Sequence, residues 1–192
     1  FVVTCVGDDG DFSFIPSRQG TTLADRIARN ILKTSGGRFN EYSFLDRGSD
    51  ERQFCSPLID LPVASITRSK YATYDEYHTS GDNLDFISQT GLKGSFEIYK
   101  KCLQLLEANK IYQNVFPCEP QLGKRGLYPT LSTKESGQQV HTMMNVIAYA
   151  DGKTDLLELS AKLTIDPFEC AEIAERLVAA GVLSIASSAS IT

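Results

Sequence analysis

Two short runs carry the side chains best suited to chemistry. The first is Tyr77-His78-Thr79-Ser80-Gly81-Asp82-Asn83, and it holds one of only two histidines in the 192-residue chain. Imidazole is the side chain most used by proteins to bind zinc, and a neighbouring tyrosine hydroxyl can donate to an oxyanion forming beside such a metal. The second run is Gly48-Ser49-Asp50-Glu51-Arg52-Gln53-Phe54. Asp50 adds a carboxylate to this run. Arg52, like Arg18, has the planar guanidinium that grips an anionic group through two parallel N–H bonds. Each residue also has a plainer use. His78 can bond to backbone, Tyr77 can pack its ring beside Tyr71 and Tyr74, and both arginines can form surface ion pairs. Asp50 and Asp82 can serve turns or helix caps, and Asp8, Asp9 and Asp11 a solvated turn. His141, at the start of a helix, is assigned no chemistry.

The elements that must hold these residues read as α/β. Residues 1–6, Phe-Val-Val-Thr-Cys-Val, are a β-branched run expected to form a buried strand, followed by the turn-like Gly7-Asp8-Asp9-Gly10-Asp11. Thr21 or Thr22 can cap a helix with Leu23, Ile27 and Ile31 on one stripe, ended by Gly36-Gly37. Strands are expected at 41–45 and 61–67, with a polar, tyrosine-rich loop over 69–82. A second helix over 92–109 sets Phe96, Tyr99, Leu103 and Leu106 on one stripe. This pattern predicts a mixed sheet flanked by helices. In such sheets ligands gather beyond the carboxyl ends of strands, where Asp8, Asp50 and His78 fall.

Residues 116–138 are broken by prolines and glycines and read as a connecting segment containing Lys124-Arg125. Beyond it, helices are expected over 140–150, 154–163 and 166–181. Asp166 is the N-cap of the last, Pro167 its first helical residue and Glu169 a capping-box partner. A short strand over 182–185 and a frayed tail from Ala186 complete the chain. Helix, helix, helix, strand resembles a winged helix-turn-helix. The domains are therefore expected at 1–115 and 139–192, joined by 116–138. Residues 139–185 carry a net charge of −4, and the third helix bears Glu169, Glu172 and Glu175. A recognition helix needs groups that attract phosphate and read bases. The module is thus expected to serve packing, a protein partner or a homo-oligomer, and not nucleic acid.

Composition narrows the class further. The net charge is −5 and no apolar run approaches membrane-spanning length, so neither nucleic acid nor a membrane is an expected partner. Five dispersed cysteines without a Cys-x-x-Cys pair suit a reducing, cytoplasmic setting. A chain opening on a strand already under way reads as the C-terminal part of a longer protein.

Taken together, the runs around Asp50 and His78 resemble the zinc aminopeptidase fold shared with glutaminyl cyclases. In that family a Gly-Ser-Asp-His-x-x-Phe segment precedes a strand, and a later His-containing segment supplies the last zinc ligand. The longer stretches Leu45-Asp46-Arg47-Gly48-Ser49-Asp50-Glu51-Arg52-Gln53-Phe54-Cys55-Ser56-Pro57 and Leu122-Gly123-Lys124-Arg125-Gly126-Leu127-Tyr128-Pro129 resemble bacterial proteins that join an aminopeptidase-like domain to a winged helix and are associated with surface-polysaccharide biosynthesis.

The resemblance implies a zinc-dependent hydrolase acting on an amide, in a peptide or an amide-bearing small molecule. His78 would be a zinc ligand, Tyr77 an oxyanion donor, Asp50 a pocket carboxylate, Arg52 a substrate contact and Asp82 a support for the His78 loop. The chain departs from the family in three ways. The family's upstream ligands and catalytic glutamate have no counterpart here. Thr4 stands where a second zinc's carboxylate belongs, leaving Asp8 as the substitute, so the expectation is one zinc with a second less favoured. Glu51 replaces the family's histidine, with an expected effect on specificity. The alternative is a non-catalytic binding or scaffolding protein that keeps the fold.

Overall fold

A computed structural model describes residues 1–35, 37–128 and 134–186. Gly36, Pro129 and the tail beyond Ala186, to which the sequence reading gave roles, lie outside them. The chain divides into two compact units, Phe1–Leu106 and Glu107–Thr192.

In the first unit, β1 (Phe12–Ile15), α1 (Leu23–Thr34) and β2 (Phe39–Glu41) form a parallel β-α-β turn of chain, and β3 (Ser65–Thr67) pairs antiparallel on the other side of β1. The sheet is mixed, in the order β2-β1-β3. Thr22 caps α1 in a reciprocal box with Asp25. Asp25 is fully buried because it also accepts from the Ser17 backbone N–H at 2.7 Å and the Ser17 hydroxyl at 2.6 Å. Ile27, Ala28 and Ile31 of α1 are buried, as are Phe14 and Ile15 on the two faces of β1. The expected strand over 1–6 is instead an extended segment beside β3. It makes one parallel bridge, Val2 to Ser65. The hydrogen bonds Val2 N–H to Ala64 C=O and Arg68 N–H to Cys5 C=O flank β3, and Cys5 departs from strand geometry at φ 48°. Two further strands are shorter than expected. Residues 41–45 turn into a 3-10 turn at Phe44–Asp46, capped by Ser43, and within 61–67 only β3 is regular. The turn α2 (Glu51–Phe54) lies between them.

Helix α3 (Gln89–Ala108) differs most from expectation. Its inward residues are Gly91, Ser95, Ile98, Cys102 and Leu105. The expected stripe is largely outside, with Phe96 63% and Leu103 53% exposed; only Tyr99 reaches inward, donating its hydroxyl to backbone carbonyls of Val2 and Ile66. Both sides of α3 are apolar, so periodicity alone selects the bulkier residues. The small ones face in because the helix lies against backbone: a methyl group at Gly91 would fall 2.3 Å from the Gly7 carbonyl oxygen.

The second unit has a three-stranded sheet in the order β5-β4-β6, built from β4 (Ile111–Asn114), β5 (Asp151–Asp155) and β6 (Leu183–Ile185). Three helices accompany it: α4 (Lys134–Tyr149), α5 (Leu156–Leu163) and α6 (Pro167–Ala179). Residues 111–114, expected at the end of the first domain, thus belong to the second sheet. The segment 116–138 holds a 3-10 turn, Leu122–Arg125, and the start of α4. What was read as the start of the 154–163 helix is β5, since Asp151 accepts from the Lys153 and Thr154 backbone N–H groups, both at 2.8 Å, and fixes a turn there. Asp155 then caps α5, and Asp166 caps α6 through Phe168 and Glu169 with Pro167 in the first turn. Leu156, Leu159, Ala174 and Leu177 form the core, while Glu169, Glu172 and Glu175 face outward. No helix among the described residues is long and apolar enough to cross a membrane.

Candidate functional site

One polar cavity of about 520 Å³ in the first unit is lined by Asp8, Asp50, Arg52, Tyr77, His78 and Asp82, together with Thr4 and Cys5. Three stretches of chain build it: residues 4–8, the turn leading into α2, and the loop over 74–87. The first stretch is fixed by α3, whose Ser95 hydroxyl donates to the Val6 carbonyl at 2.7 Å, and by the Ser88 N–H bonded to Gly7 C=O.

The second stretch hangs on Glu51. Its side chain is fully buried and accepts from the Gly48 N–H at 2.8 Å, the Ser49 N–H at 3.0 Å and the Tyr71 hydroxyl at 2.7 Å. Burial pushes the Glu51 carboxyl up, but the Tyr71 hydroxyl and the Ser49 and Gly48 N–H groups outweigh it and hold the group below its ordinary value. Burial and the Glu51 charge in turn push the Tyr71 hydroxyl upward. Glu51, which stands where the family has histidine, is thus spent inside this loop and does not line the cavity. It organises the loop whose next-door residues, Asp50 and Arg52, reach the cavity. Gly48 has to be small here, because a Cβ would lie 2.6 Å from the Tyr71 ring. Asp50 occupies the N-cap position of α2 but makes no cap hydrogen bond, so its carboxylate is not consumed by the helix end.

Aromatic contacts shape the third stretch. His78 stacks on the Tyr77 ring at 3.9 Å and 17°; Tyr77 also meets Tyr71 and Tyr74, and Tyr74 stacks on Phe86 at 5.2 Å. His78 is exposed and lies in the left-handed region at φ 58°, which turns the chain sharply at this residue. The Tyr74 hydroxyl donates to Cys5 Sγ at 3.4 Å. Burial, the Cys5 contact and the nearby Asp82 and Asp8 all push it upward. Sequence reasoning did not select Cys5, Tyr74 or Phe86. Tyr74 had a usable signal, since it lies three residues before Tyr77 in the same aromatic loop; Cys5 had none.

The plainer uses of the remaining residues are visible as well. Asp8 is buried, and its carboxylate accepts from the Gly10 N–H at 2.8 Å and the Ser69 hydroxyl at 2.7 Å, which commits it to stitching two turns together. Arg18 is paired with Asp60. The Cys102 and Cys170 thiols are pushed up to about 12 by burial, which leaves them protonated and unreactive. Zinc needs three protein ligands even at a catalytic site. Among the described residues no group of three or more His, Cys, Asp or Glu side chains is arranged to hold a metal ion. His78, Asp50 and Asp82 share the cavity without completing such a set.

A mixed α/β body with a polar, aromatic-walled cavity, followed by a winged helix, is the class that fold and site define. Residues 1–109 match the family model described as Domain of unknown function (DUF4910), and residues 110–185 match a winged helix-turn-helix model. The chain belongs to the DUF4910 family. It is 40% identical over 163 residues to a Clostridium acetobutylicum protein named for polysaccharide biosynthesis and an aminopeptidase-like domain, a match that covers 84% of this chain and 37% of that protein. A crystal structure of a protein from Clostridium acetobutylicum, titled as a peptidase, superposes with a TM-score of 0.82 at 35% identity, covering 95% of this chain and 40% of the other. The chain thus spans about two fifths of the length of these relatives.

Proposed function

We propose that this chain supplies one wall of the active site of a zinc-dependent, aminopeptidase-like hydrolase that cleaves an amide bond. The observation that carries the reading is the meeting of Asp50, Arg52, Tyr77 and His78 in one cavity, in a chain whose relatives are named for a peptidase and an aminopeptidase-like domain. The substrate class is a peptide N-terminus or an amide on an intermediate of surface-polysaccharide assembly, by likeness to the relative named for that process. In this reading His78 is one ligand of a site that the described residues only begin. Tyr77, held by its aromatic neighbours, offers its hydroxyl to the oxyanion of the tetrahedral intermediate. Asp50 provides a charged acceptor for a substrate N–H, and Arg52 a donor pair for a substrate carboxylate or phosphate. The winged helix serves as a protein-interaction module, in keeping with the acidic face of α6.

Elemental mass spectrometry on the protein purified from the cells that make it tests the reading directly. The expected result is one zinc per chain, lost in His78→Ala. A folded wild type that stays free of zinc after reconstitution would favour the scaffold instead. On an amide substrate, Tyr77→Phe should lower kcat about 100-fold with KM little changed; an unaltered kcat removes Tyr77 from the chemistry.

A further inference from the structure

The polar cavity of the first unit sets charges of both signs beside aromatic surface, and most of its polar groups are unspent. Asp50 makes no cap hydrogen bond. Among the described residues, no hydrogen bond or ion pair engages the side chains of Ser49, Arg52 and Asp82 or the Tyr77 hydroxyl. Asp8, by contrast, is committed to Gly10 and Ser69. The cavity thus offers two acceptor carboxylates, a guanidinium and two hydroxyls next to the rings of Tyr74, Tyr77 and Phe86. Its volume of about 520 Å³ lies within the roughly 300–1,000 Å³ of small-molecule sites. A free peptide N-terminus matches this set poorly, because its ammonium is drawn to Asp50 and Asp82 but repelled by Arg52 in the same wall. A sugar ring matches it well. Ring hydroxyls donate to carboxylates and accept from a guanidinium or a phenol, and the apolar C–H face of the ring packs against aromatic surface. An acidic substituent on the ring gives Arg52 two parallel acceptors.

We infer that the cavity is a sugar site, and that the amide cut there is the N-acyl group of an amino sugar bearing a phosphate or a carboxylate, not a peptide bond. The reaction rests on the function proposed above; the ligand rests on the cavity's own groups. Asp50 and Asp82 accept from ring hydroxyls, Arg52 holds the acidic substituent, and Tyr74 and Phe86 flank the ring. The Tyr77 hydroxyl is left for the acyl oxygen. In the hydrolysis, water adds to the acyl carbon and the C–N bond breaks with its electron pair going to nitrogen. The nitrogen takes up a proton, and a free amino sugar and an acyl carboxylate are released.

Saturation-transfer difference NMR on the protein purified from the cells that make it reads binding apart from turnover. The probes are N-acetylglucosamine, N-acetylglucosamine phosphate, N-acetylmuramic acid, whose acid is a carboxylate, and the dipeptide leucylglycine. Saturation of the ring protons is expected for an acidic sugar, weaker for the neutral sugar and absent for the dipeptide; the acidic sugar that binds more tightly names the acid. Arg52→Gln should lower affinity for that sugar about tenfold or more and leave the neutral sugar little changed, while Asp50→Asn should weaken both. Binding of the dipeptide in preference to every sugar, or of no probe at all, overturns the inference, as do equal affinities of wild type and Arg52→Gln for the acidic sugar. Acyl release is scored separately. An acidic sugar that binds but keeps its acyl group leaves the sugar site standing and removes the hydrolase reading. A dipeptide cleaved while no sugar binds removes the sugar site alone.

Discussion

The two units handle their apolar side chains differently. In the winged-helix unit, α5 and α6 turn Leu156, Leu159, Ala174 and Leu177 into a core where none is more than 1% exposed, and α6 shows glutamates to solvent. In the first unit α1 does the same with Ile27, Ala28 and Ile31, yet α3 leaves Leu92, Phe96 and Leu103 open. One body is closed on itself; the other is closed on one side. Apolar periodicity therefore says that a face is meant for an interior, and leaves open whose interior it is.

The largest effect expected from this contrast is in the closed unit. Leu177→Ala deletes a fully buried side chain and should destabilise the second unit by about 2–5 kcal/mol, the range for truncations that leave a cavity. Urea denaturation followed by circular dichroism measures it. A loss below about 1 kcal/mol would mean that this core collapses around the gap, and the contrast between the units would weaken.

A smaller effect is expected at the two adjacent carboxylates of the first unit, Asp50 and Glu51. Removing Glu51 as Glu51→Ala leaves the Gly48 and Ser49 N–H groups without their acceptor and should cost about 1–3 kcal/mol, whereas Asp50→Ala, which breaks no cap bond, should cost far less. The pH dependence has a definite sign. Because the folded-state value of Glu51 is held below its ordinary 4.5, its contribution is fully present above that value. It is lost as pH falls through the lower, folded value. Glu51→Gln should flatten the acid limb of the stability curve over that window; an unchanged limb would show that Glu51 is not the group that titrates.

The helix caps at Thr22, Asp155 and Asp166 depend on residues within three positions of one another. The first and last were legible in sequence for that reason. Strands β4 and β5 were not, because each is held by partners far away in the chain, and short polar segments such as Asp151–Asp155 carry no alternation to betray them. At the candidate site, Asp50, Arg52, Tyr77 and His78 could be picked out by residue type and motif. The loop-organising role of Glu51 was not legible because it depends on Tyr71, which is 20 positions away. Cys5 was missed because its place depends on a backbone turn that no side-chain pattern encodes.

The smallest expected effect is the most telling for α3. Phe96→Asp puts a charge where the sequence pattern alone would place a core residue, and a core aspartate would carry a large penalty. Phe96 is 63% exposed, so in the 192-residue chain by itself the substitution should change stability by no more than about 0.5 kcal/mol, as surface substitutions do. Thermal unfolding of the two proteins side by side checks this. A loss of several kcal/mol would mean that α3 turns its bulky stripe inward after all.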